Sequence, residues 1–214
     1  MDDKLSKKNN ERVINLAEVF TPQNIVKDMI NLISDINYSS KFFEPGCGTG
    51  NFLIEVLNIK LNDLLKMNEV KNSLKTGYFD EFEHKVIMSI SSIYGVDIDE
   101  SNVNKCIERL YETIKLFYCK HTKSDLDIDF DKSISRVLNK NIINADLLSD
   151  NSLIHIFEYS EMPSYKVKIR KFNFFDMIYP DDEVFTENLK LFPHIPKPIE
   201  EYDVIFYNKI HEKL

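Results

Sequence analysis

The sequence predicts an α/β fold with a doubly wound parallel sheet, preceded by an N-terminal helical segment. Three short apolar runs, at residues 42–43, 93–99 and 142–147, have the character of strands that end in acidic residues. The first two are followed by segments whose apolar residues recur at helical spacing. Alternation of strand and helix is typical of βαβ units, and ligands of such sheets lie at the carboxyl ends of the strands.

A glycine-rich turn follows the first strand. It reads Glu44-Pro45-Gly46-Cys47-Gly48-Thr49-Gly50 and leads into a helix that begins at Asn51. Glycines allow a ligand to approach bare backbone, and the first turn of the helix presents free N–H groups to an anionic group. Nicotinamide cofactors require the spacing G-x-G-x-x-G, whereas this turn has G-x-G-x-G. Glu44 ahead of the turn favours a ligand with a cationic amine, such as S-adenosylmethionine.

The chain before the turn predicts a helix with Thr21 as its N-cap and Pro22 at its first position. Its apolar residues recur at helical spacing, namely Ile25, Val26, Met29, Ile30 and Ile33. We expect this helix to end within residues 35–39. The helix after the turn is expected to run over residues 51–65.

Between the first two strands, residues 66–83 have the composition of a polar insertion, and a further helix is predicted around residues 82–90. A long amphipathic helix follows the second strand, with an apolar face made of Val103, Ile107, Leu110, Ile114 and Phe117. Residues 120–133 are acidic and indicate a loop.

The C-terminal third predicts a β-hairpin. Residues 153–159 and 165–175 are β-rich, and residues 160–164 between them have the composition of a turn. Residues 180–198 are punctuated by prolines and indicate a loop. Residues 202–206 predict a last short strand.

Acidic residues at the three strand ends have separable roles. Asp97 can accept hydrogen bonds from both hydroxyls of a ribose, and Ile98 beside it offers an apolar face to a purine. Asp146 can accept from the exocyclic amine of adenine. Each acid could instead cap its own turn, but Glu44, Asp97 and Asp146 stand in series at neighbouring strand ends.

Length and composition indicate one domain. The chain has 214 residues, 43% of them hydrophobic, which suffices for one core. We assign residues 1–214 to a single domain, with an N-terminal helical segment (1–40), a ligand-binding core (41–150) and a hairpin with an irregular C-terminal part (151–214).

The charged residues and cysteines exclude several classes of protein. No apolar run could cross a bilayer and the N-terminus is polar, so we expect a soluble, cytoplasmic protein without a membrane partner. Cys47, Cys106 and Cys119 lack the spacing of a metal site, and we expect neither disulfides nor a metal. The net charge of −8 disfavours unaided binding to nucleic acid.

These motifs resemble those of the adenine-N6 DNA methyltransferases of restriction-modification systems. Glu18-Val19-Phe20-Thr21-Pro22 corresponds to that family's opening motif, and residues 43–53 correspond to its cofactor loop. Residues 94–99 are similar to its ribose-binding strand, and residues 144–147 are similar, more loosely, to its adenine-binding turn. The resemblance covers residues 13–150 and implies a Rossmann-like class I methyltransferase that uses S-adenosylmethionine and acts on DNA.

The resemblance also implies which residues bind the cofactor. Phe20 and Thr21 would contact its methionine part, and Asp97 would hold its ribose. The residues lining the cofactor would be Glu44, Gly46, Cys47 and Gly48. The adenine ring would pack on Ile98, and its amine would bind at Asp146 and Leu147.

The family's catalytic element is missing. It consists of Asp, Asn or Ser followed by Pro-Pro and an aromatic residue, and this chain has no Pro-Pro. In that family it orients a flipped adenine, whose amine donates to the polar side chain and to a proline carbonyl. Asn208 after the last strand is one candidate remnant, and Met162-Pro163-Ser164-Tyr165 is another, although a hairpin turn explains the second better. The catalytic residue is therefore unknown.

Three interpretations of function stay open. The chain is a DNA adenine methyltransferase or a fragment of one, a cofactor-binding subunit that acts through a partner chain, or a methyltransferase for protein or small molecules. A partner or a target-recognition region would supply the DNA contact that the acidic chain lacks. Lys166, Lys168 and Arg170 alternate along one predicted strand and could contact phosphates, although a solvated edge strand explains them more simply.

Overall fold

The structure is a computed structural model, and it describes residues 21–148, 154–178 and 196–214. The helices in these ranges are α1 (Gln23–Ile30), α2 (Asn51–Leu64), α3 (Asn68–Thr76), α4 (Asp80–Ile90), α5 (Glu100–Thr122), α6 (Ile128–Asn141), α7 (Phe174–Ile178) and a 3₁₀ helix (Tyr207–Glu212). The strands are β1 (Phe42–Pro45), β2 (Ile93–Asp97), β3 (Ile142–Asn144), β4 (His155–Met162), β5 (Lys166–Asn173), β6 (Glu200–Glu201) and β7 (Ile205–Phe206). Among the described residues, no helix combines the length and hydrophobicity needed to cross a bilayer.

Strands β1, β2 and β3 form a parallel sheet in that order. Glu44 lies opposite Gly95, and Asp97 lies opposite Asn144. This register brings the acidic ends of the strands to one edge, as the sequence predicted. The alternation of parallel strands and helices makes the fold a Rossmann-like α/β fold, which confirms the predicted fold class.

The two faces of the parallel sheet are covered differently. On one face Gly95 lies against α2, where an added Cβ would come within 2.8 Å of Leu53 Cδ1. On the opposite face Tyr94 is buried, and its hydroxyl donates to the carbonyl of Phe157 in β4 at 2.8 Å. Helix α2 therefore packs on one face and the β4–β5 hairpin on the other.

The predicted hairpin is confirmed. Strands β4 and β5 pair antiparallel over their whole length, from His155 opposite Asn173 to Met162 opposite Lys166. The turn between them places Ser164 and Tyr165 at positive φ, 61° and 58°. Strands β6 and β7 both pair with β5, so the last strand of the chain joins this second sheet.

Several predicted boundaries are wrong. The first helix has Pro22 at its N-cap position and ends at Ile30, earlier than residues 35–39. The insertion at residues 66–83 contains helix α3 and the start of α4. The region expected to be a loop, residues 120–133, contains the end of α5 and the first turns of α6. The proline-rich loop at 180–198 lies mostly outside the described residues.

Candidate functional site

The glycine turn is anchored to the end of β2. The main-chain N–H groups of Gly46 and Cys47 both donate to the carbonyl of Val96, at 2.7 and 2.9 Å. Gly46 and Gly48 have φ values of 84° and 52°, which lie in the left-handed region that favours glycine. The turn therefore folds over the carboxyl ends of β1 and β2.

Asp97 connects this turn to the second strand. One carboxylate oxygen, Oδ2, accepts from the Gly48 N–H at 2.8 Å, and the other, Oδ1, accepts from the Asp99 N–H at 2.9 Å. The Asn102 amide lies 3.4 Å from Oδ1. A carboxylate has about four acceptor positions, so Asp97 retains capacity for a ligand hydroxyl.

Glu44 holds a buried oxygen with no partner. In the part of the chain that the structure describes, its Oε2 atom accepts no hydrogen bond. Burial raises the pKa of Glu44 from 4.5 to about 7. A carboxyl group with one buried oxygen that accepts no hydrogen bond from the described residues fits a ligand that carries an amino group. The donor would satisfy the oxygen, and its positive charge would favour the ionised form of Glu44.

Arg109 of α5 holds the turn from the other side, and the sequence reasoning missed it. One guanidinium nitrogen, Nη1, donates to the carbonyl and hydroxyl of Thr49 at 2.6 and 3.1 Å and to Asn51 Oδ1 at 2.9 Å. The Asn51 amide in turn donates to the carbonyl of Thr21 at 3.1 Å. Thr21 thus lies beside the start of α2, next to the turn. No motif in the sequence marks Arg109, because its role depends on how α5 packs.

The third strand end meets the second through Asn144. Its side-chain amide donates to the carbonyls of Asp97 and Ile98, at 3.0 and 2.9 Å. Ile98 is 57% exposed, and Asp146 accepts from the Leu148 N–H at 2.9 Å. This contact brings residues 97–98 and 144–147, which include the predicted residue Leu147, to one side of the glycine turn.

Cys47 lies beneath the turn. Its side chain is 5% exposed and would lie 3.0 Å from a Cβ added at Gly95. A hydrogen bond with the Cys106 thiol and burial raise the pKa of Cys47. The Cys47 side chain therefore packs in the core, and only its backbone borders the surface of the turn. Phe20, which was predicted to contact the cofactor, lies outside the described residues.

The candidate catalytic residue Asn208 lies in the 3₁₀ helix near the C-terminus. Its neighbour Tyr207 donates to Glu83 of α4 at 2.6 Å, and Lys209 contacts Asp129 of α6. These contacts hold the 3₁₀ helix against α4 and α6. The second candidate, Pro163, lies in the hairpin turn.

The basic residues of β5 have partners. Lys168 forms an ion pair with Glu201 at 3.0 Å, and Arg170 forms one with Glu158 at 3.3 Å. The Lys166 ammonium lies 5.2 Å from the centre of the Phe206 ring. These contacts show paired charges on the strand and do not support a phosphate-binding strip. The predicted edge strand is wrong, because β5 pairs with β4 on one side and with β6 and β7 on the other.

The described residues contain no cluster of His, Cys, Asp or Glu able to hold a metal ion.

A family model described as an RMKL-like methyltransferase domain matches residues 24–127. The matched segment includes the glycine turn, Asp97 and Arg109, so this part of the chain is similar to a methyltransferase domain. Comparisons with curated proteins and with solved structures gave no match.

Proposed function

We propose that this chain binds S-adenosylmethionine at the glycine turn and takes part in methylation of the exocyclic N6 of adenine in DNA. The observation that carries the proposal is the buried Oε2 of Glu44, which has no partner within the described residues, beside a turn held by Asp97. The match of residues 24–127 to a methyltransferase domain supports methyl transfer. The choice of adenine N6 in DNA as the methyl acceptor is based on the sequence motifs alone.

The side chains at the turn fit the parts of this cofactor. Glu44 would accept from its amino group, and Asp97 would accept from its ribose hydroxyls with the capacity left by its contact to Gly48. Ile98 is exposed and offers an apolar contact to the adenine ring. Asp146 lies two residues after Asn144, whose amide donates to the carbonyl of Asp97, and it would accept from the adenine amine.

The chemistry would depend mainly on positioning. When bound, S-adenosylmethionine supplies a methyl group already activated by its sulfonium. The residues of this chain need only hold the cofactor and leave one face open to the acceptor amine. Because the turn is tied to β2 through Gly48 and to α5 through Arg109, its geometry is set before a ligand arrives.

In the DNA methyltransferases that this chain resembles, a polar residue followed by Pro-Pro and an aromatic residue presents the adenine. The sequence has no Pro-Pro, and β7, which precedes Asn208, pairs with β5. In the described segments β1 pairs with β2 alone, and its other edge carries no strand from those segments. This observation favours a second candidate function, in which the chain is a cofactor-binding subunit and a partner chain presents the DNA.

Calorimetric titration with S-adenosylmethionine tests the binding step. We expect the wild-type chain to bind, and Asp97→Ala to lose about 1–3 kcal/mol of binding free energy, the usual effect of losing hydrogen bonds to a charged group. Asp127→Ala is the matched control, since Asp127 accepts from the Asp129 N–H at the start of α6. Equal affinity of a folded Asp97→Ala variant and wild type would remove Asp97 from the site.

A transfer assay tests the acceptor. The chain is incubated with labelled cofactor and mixed-sequence DNA at low salt, with RNA in a parallel reaction, and the product is digested and assayed for N6-methyladenine. We expect little product from the chain alone and more with a partner chain that carries Pro-Pro. Ready methylation of RNA or of a protein, with DNA unmodified, would contradict the proposed acceptor.

A further inference from the structure

A cavity opens on the hairpin face of the parallel sheet, at the edge of β3 that pairs with no strand in the described part of the chain. It has a volume of about 350 Å³ and lies between the end of α6, β3 and the start of β4. Ile143, Ile154 and Phe157 form its apolar wall, and Asn139 and Asn144 contribute amides. Two further lining residues, Lys140 and His155, carry the basic groups.

The basic groups around this cavity outnumber the carboxylates that the described residues place beside them. Burial and the nearby charges of Arg136 and Lys171 lower the pKa of Lys140. Burial and Lys171 likewise lower the pKa of His155. Of these four residues, only Lys171 has a carboxylate within 4 Å among the described residues, namely Glu200 at 3.9 Å. The charges of Lys140, Arg136 and Lys171 therefore repel one another, and the lowered pKa of His155 favours its neutral form.

The remaining contact of Lys140 is with an aromatic ring. Its ammonium lies 5.2 Å from the centre of the Phe157 ring, which is 6% exposed. The ring can stabilise the charge, but among the described residues the ammonium N–H groups have no oxygen acceptor. Arg136 precedes Lys140 by one helical turn and is exposed, so both cations lie on one face of α6.

The basic strand β5 provides the contrast. Lys168 and Arg170 lie beside Glu201 and Glu158, so their charges are neutralised. In a chain with a net charge of −8, Lys140 at the cavity and Arg136 one helical turn before it require a separate explanation, because neither has a carboxylate partner among the described residues. An anion with several oxygen acceptors would relieve the repulsion and satisfy the donors.

We propose that the cavity at the edge of β3, with Lys140, His155 and Arg136, binds a backbone phosphate of a nucleic acid. A phosphodiester carries a negative charge opposite to theirs, and its oxygens can accept from the Lys140 ammonium. They can also accept from the second N–H of the Asn139 amide, whose first N–H donates to the carbonyl of Ser135 at 2.7 Å. The choice of a nucleic acid as the source of the phosphate rests on the proposed function. Asn144, which donates to the carbonyl of Asp97, also lines the cavity, so a nucleic-acid strand bound here would run close to the glycine turn.

Fluorescence anisotropy with a labelled, mixed-sequence single-stranded DNA oligonucleotide tests the proposal over a series of KCl concentrations. We expect Lys140→Gln and Arg136→Gln each to weaken binding about threefold to tenfold at low salt. The slope of log affinity against log salt should fall by about 0.7 for each phosphate contact removed. Lys168→Gln is the control, since it removes a lysine already paired with Glu201.

Three further measurements separate the outcomes. Thermal unfolding checks the fold of each variant, and Arg136, being exposed, tests the site even if Lys140→Gln fails to fold. Titration with inorganic phosphate is followed by NMR at the His155 ring. If phosphate binds there but oligonucleotide binding does not depend on Lys140, the cavity is a site for small anions only and the proposal is overturned. Equal binding by the Lys140, Arg136 and Lys168 variants would also overturn it. The affinity for S-adenosylmethionine should be unchanged in Lys140→Gln. If oligonucleotide binding depends on Lys140 but the chain binds no cofactor, the result supports this phosphate site and contradicts the proposed function.

Discussion

The main-chain N–H of Gly48 donates to Asp97 Oδ2 at 2.8 Å, so one carboxylate both shapes the glycine turn and stands at the predicted ribose position. The contact joins the turn after β1 to the end of β2, two segments 49 residues apart in the chain. A change at either residue should therefore affect the turn and the ligand together.

Gly48→Val should abolish binding of S-adenosylmethionine. A β-branched side chain at φ 52° costs about 1–2 kcal/mol of folding free energy and occupies the space where a ligand would approach the backbone. Titration calorimetry measures the binding, and urea denaturation measures the stability.

Gly77→Val is the matched control for that change. Gly77 has a φ of 76° at the end of α3, and an added Cβ would meet nothing within 4 Å. We expect a similar loss of stability with unchanged affinity for the cofactor. If the Gly48 variant bound as tightly as the Gly77 variant, the ligand would not lie against this turn.

Glu44→Gln should change how stability depends on pH. The pKa of Glu44 in the folded chain, about 7, lies above the ordinary value of 4.5, so the folded state holds the proton more tightly. Wild-type stability should then fall as pH rises from 4.5 to 7, by on the order of 1 kcal/mol after allowance for solvent screening. Gln does not titrate, so urea denaturation should show the variant gaining on wild type over this window.

The same residue predicts a proton linked to binding. At pH 6.5, about three quarters of Glu44 carboxyls are protonated when the pKa is about 7. An amino group bound beside the carboxyl would lower this pKa and release the proton. Calorimetry of cofactor binding in buffers of different ionisation enthalpy should detect the release in wild type, and also in the surface control Glu108→Gln. A release of the same size in Glu44→Gln would assign it to another group.

The sequence predicted the strand ends of the parallel sheet because their signals are local. Glu44 and Asp97 each follow a compact apolar run and precede a turn or helix, and the structure places both at the same edge. The β4–β5 hairpin was predicted for the same reason, from two β-rich runs around a turn that contains Pro163.

The acidic composition of residues 120–133 predicts a loop, whereas the structure has helix α6 beginning at Ile128. Asp127 is in fact its N-cap, and Asp129 and Asp131 lie in its first turn, where the helix dipole favours negative charge. The apolar residues behind them recur at helical spacing, namely Phe130, Ile134, Val137 and Leu138, and all are buried. The helical spacing of these apolar residues predicts a helix, whereas the acidic composition of the same segment predicts a loop.

Contacts between distant segments could not be predicted from one sequence. Arg109 reaches the turn only because α5 packs beside α2, where a Cβ added to Gly50 would meet Cys106 Sγ at 2.6 Å. Lys140 and His155 line the same cavity only because the hairpin folds back over β3. Such relationships depend on the packing of whole elements, and no local pattern carries them.

Arg109→Met should weaken cofactor binding although Arg109 is not expected to touch the ligand. The change removes the donors that hold Thr49 and Asn51, while the methionine retains most of the apolar stem. We expect an affinity loss of about tenfold, because the loss of a charge-assisted contact costs about 1.5–3 kcal/mol and part of it falls on the ordering of the turn. Calorimetry measures the affinity, with Arg170→Met on β5 as the control. Equal affinities in the two variants would mean that the turn keeps its shape without Arg109.

Lys60 is fully buried at the amino end of the parallel sheet, and its ammonium donates to the carbonyl of Ser40 and to Ser92 Oγ, the latter at 2.7 Å. Burial lowers the pKa of Lys60 from 10.5 to about 7. The folded state therefore binds fewer protons than the unfolded state between these values, and wild-type stability should rise with pH across the window.

Lys60→Met should remove this dependence. Below pH 7 the folded wild type bears the full cost of a buried charge, whereas at pH 10 the neutral amine keeps its two hydrogen bonds at little cost. The stability of the variant relative to wild type should therefore be greater at pH 6.5 than at pH 10, by on the order of 1–3 kcal/mol in the free energy of unfolding. Urea denaturation at several pH values measures the difference and cancels the titration of other lysines and tyrosines. Lys66→Met serves as the control, because the Lys66 side chain is 78% exposed and its curve should stay parallel to wild type. Parallel curves for Lys60→Met as well would mean that Lys60 remains charged in the core, with its hydrogen bonds to Ser40 and Ser92 compensating for its burial.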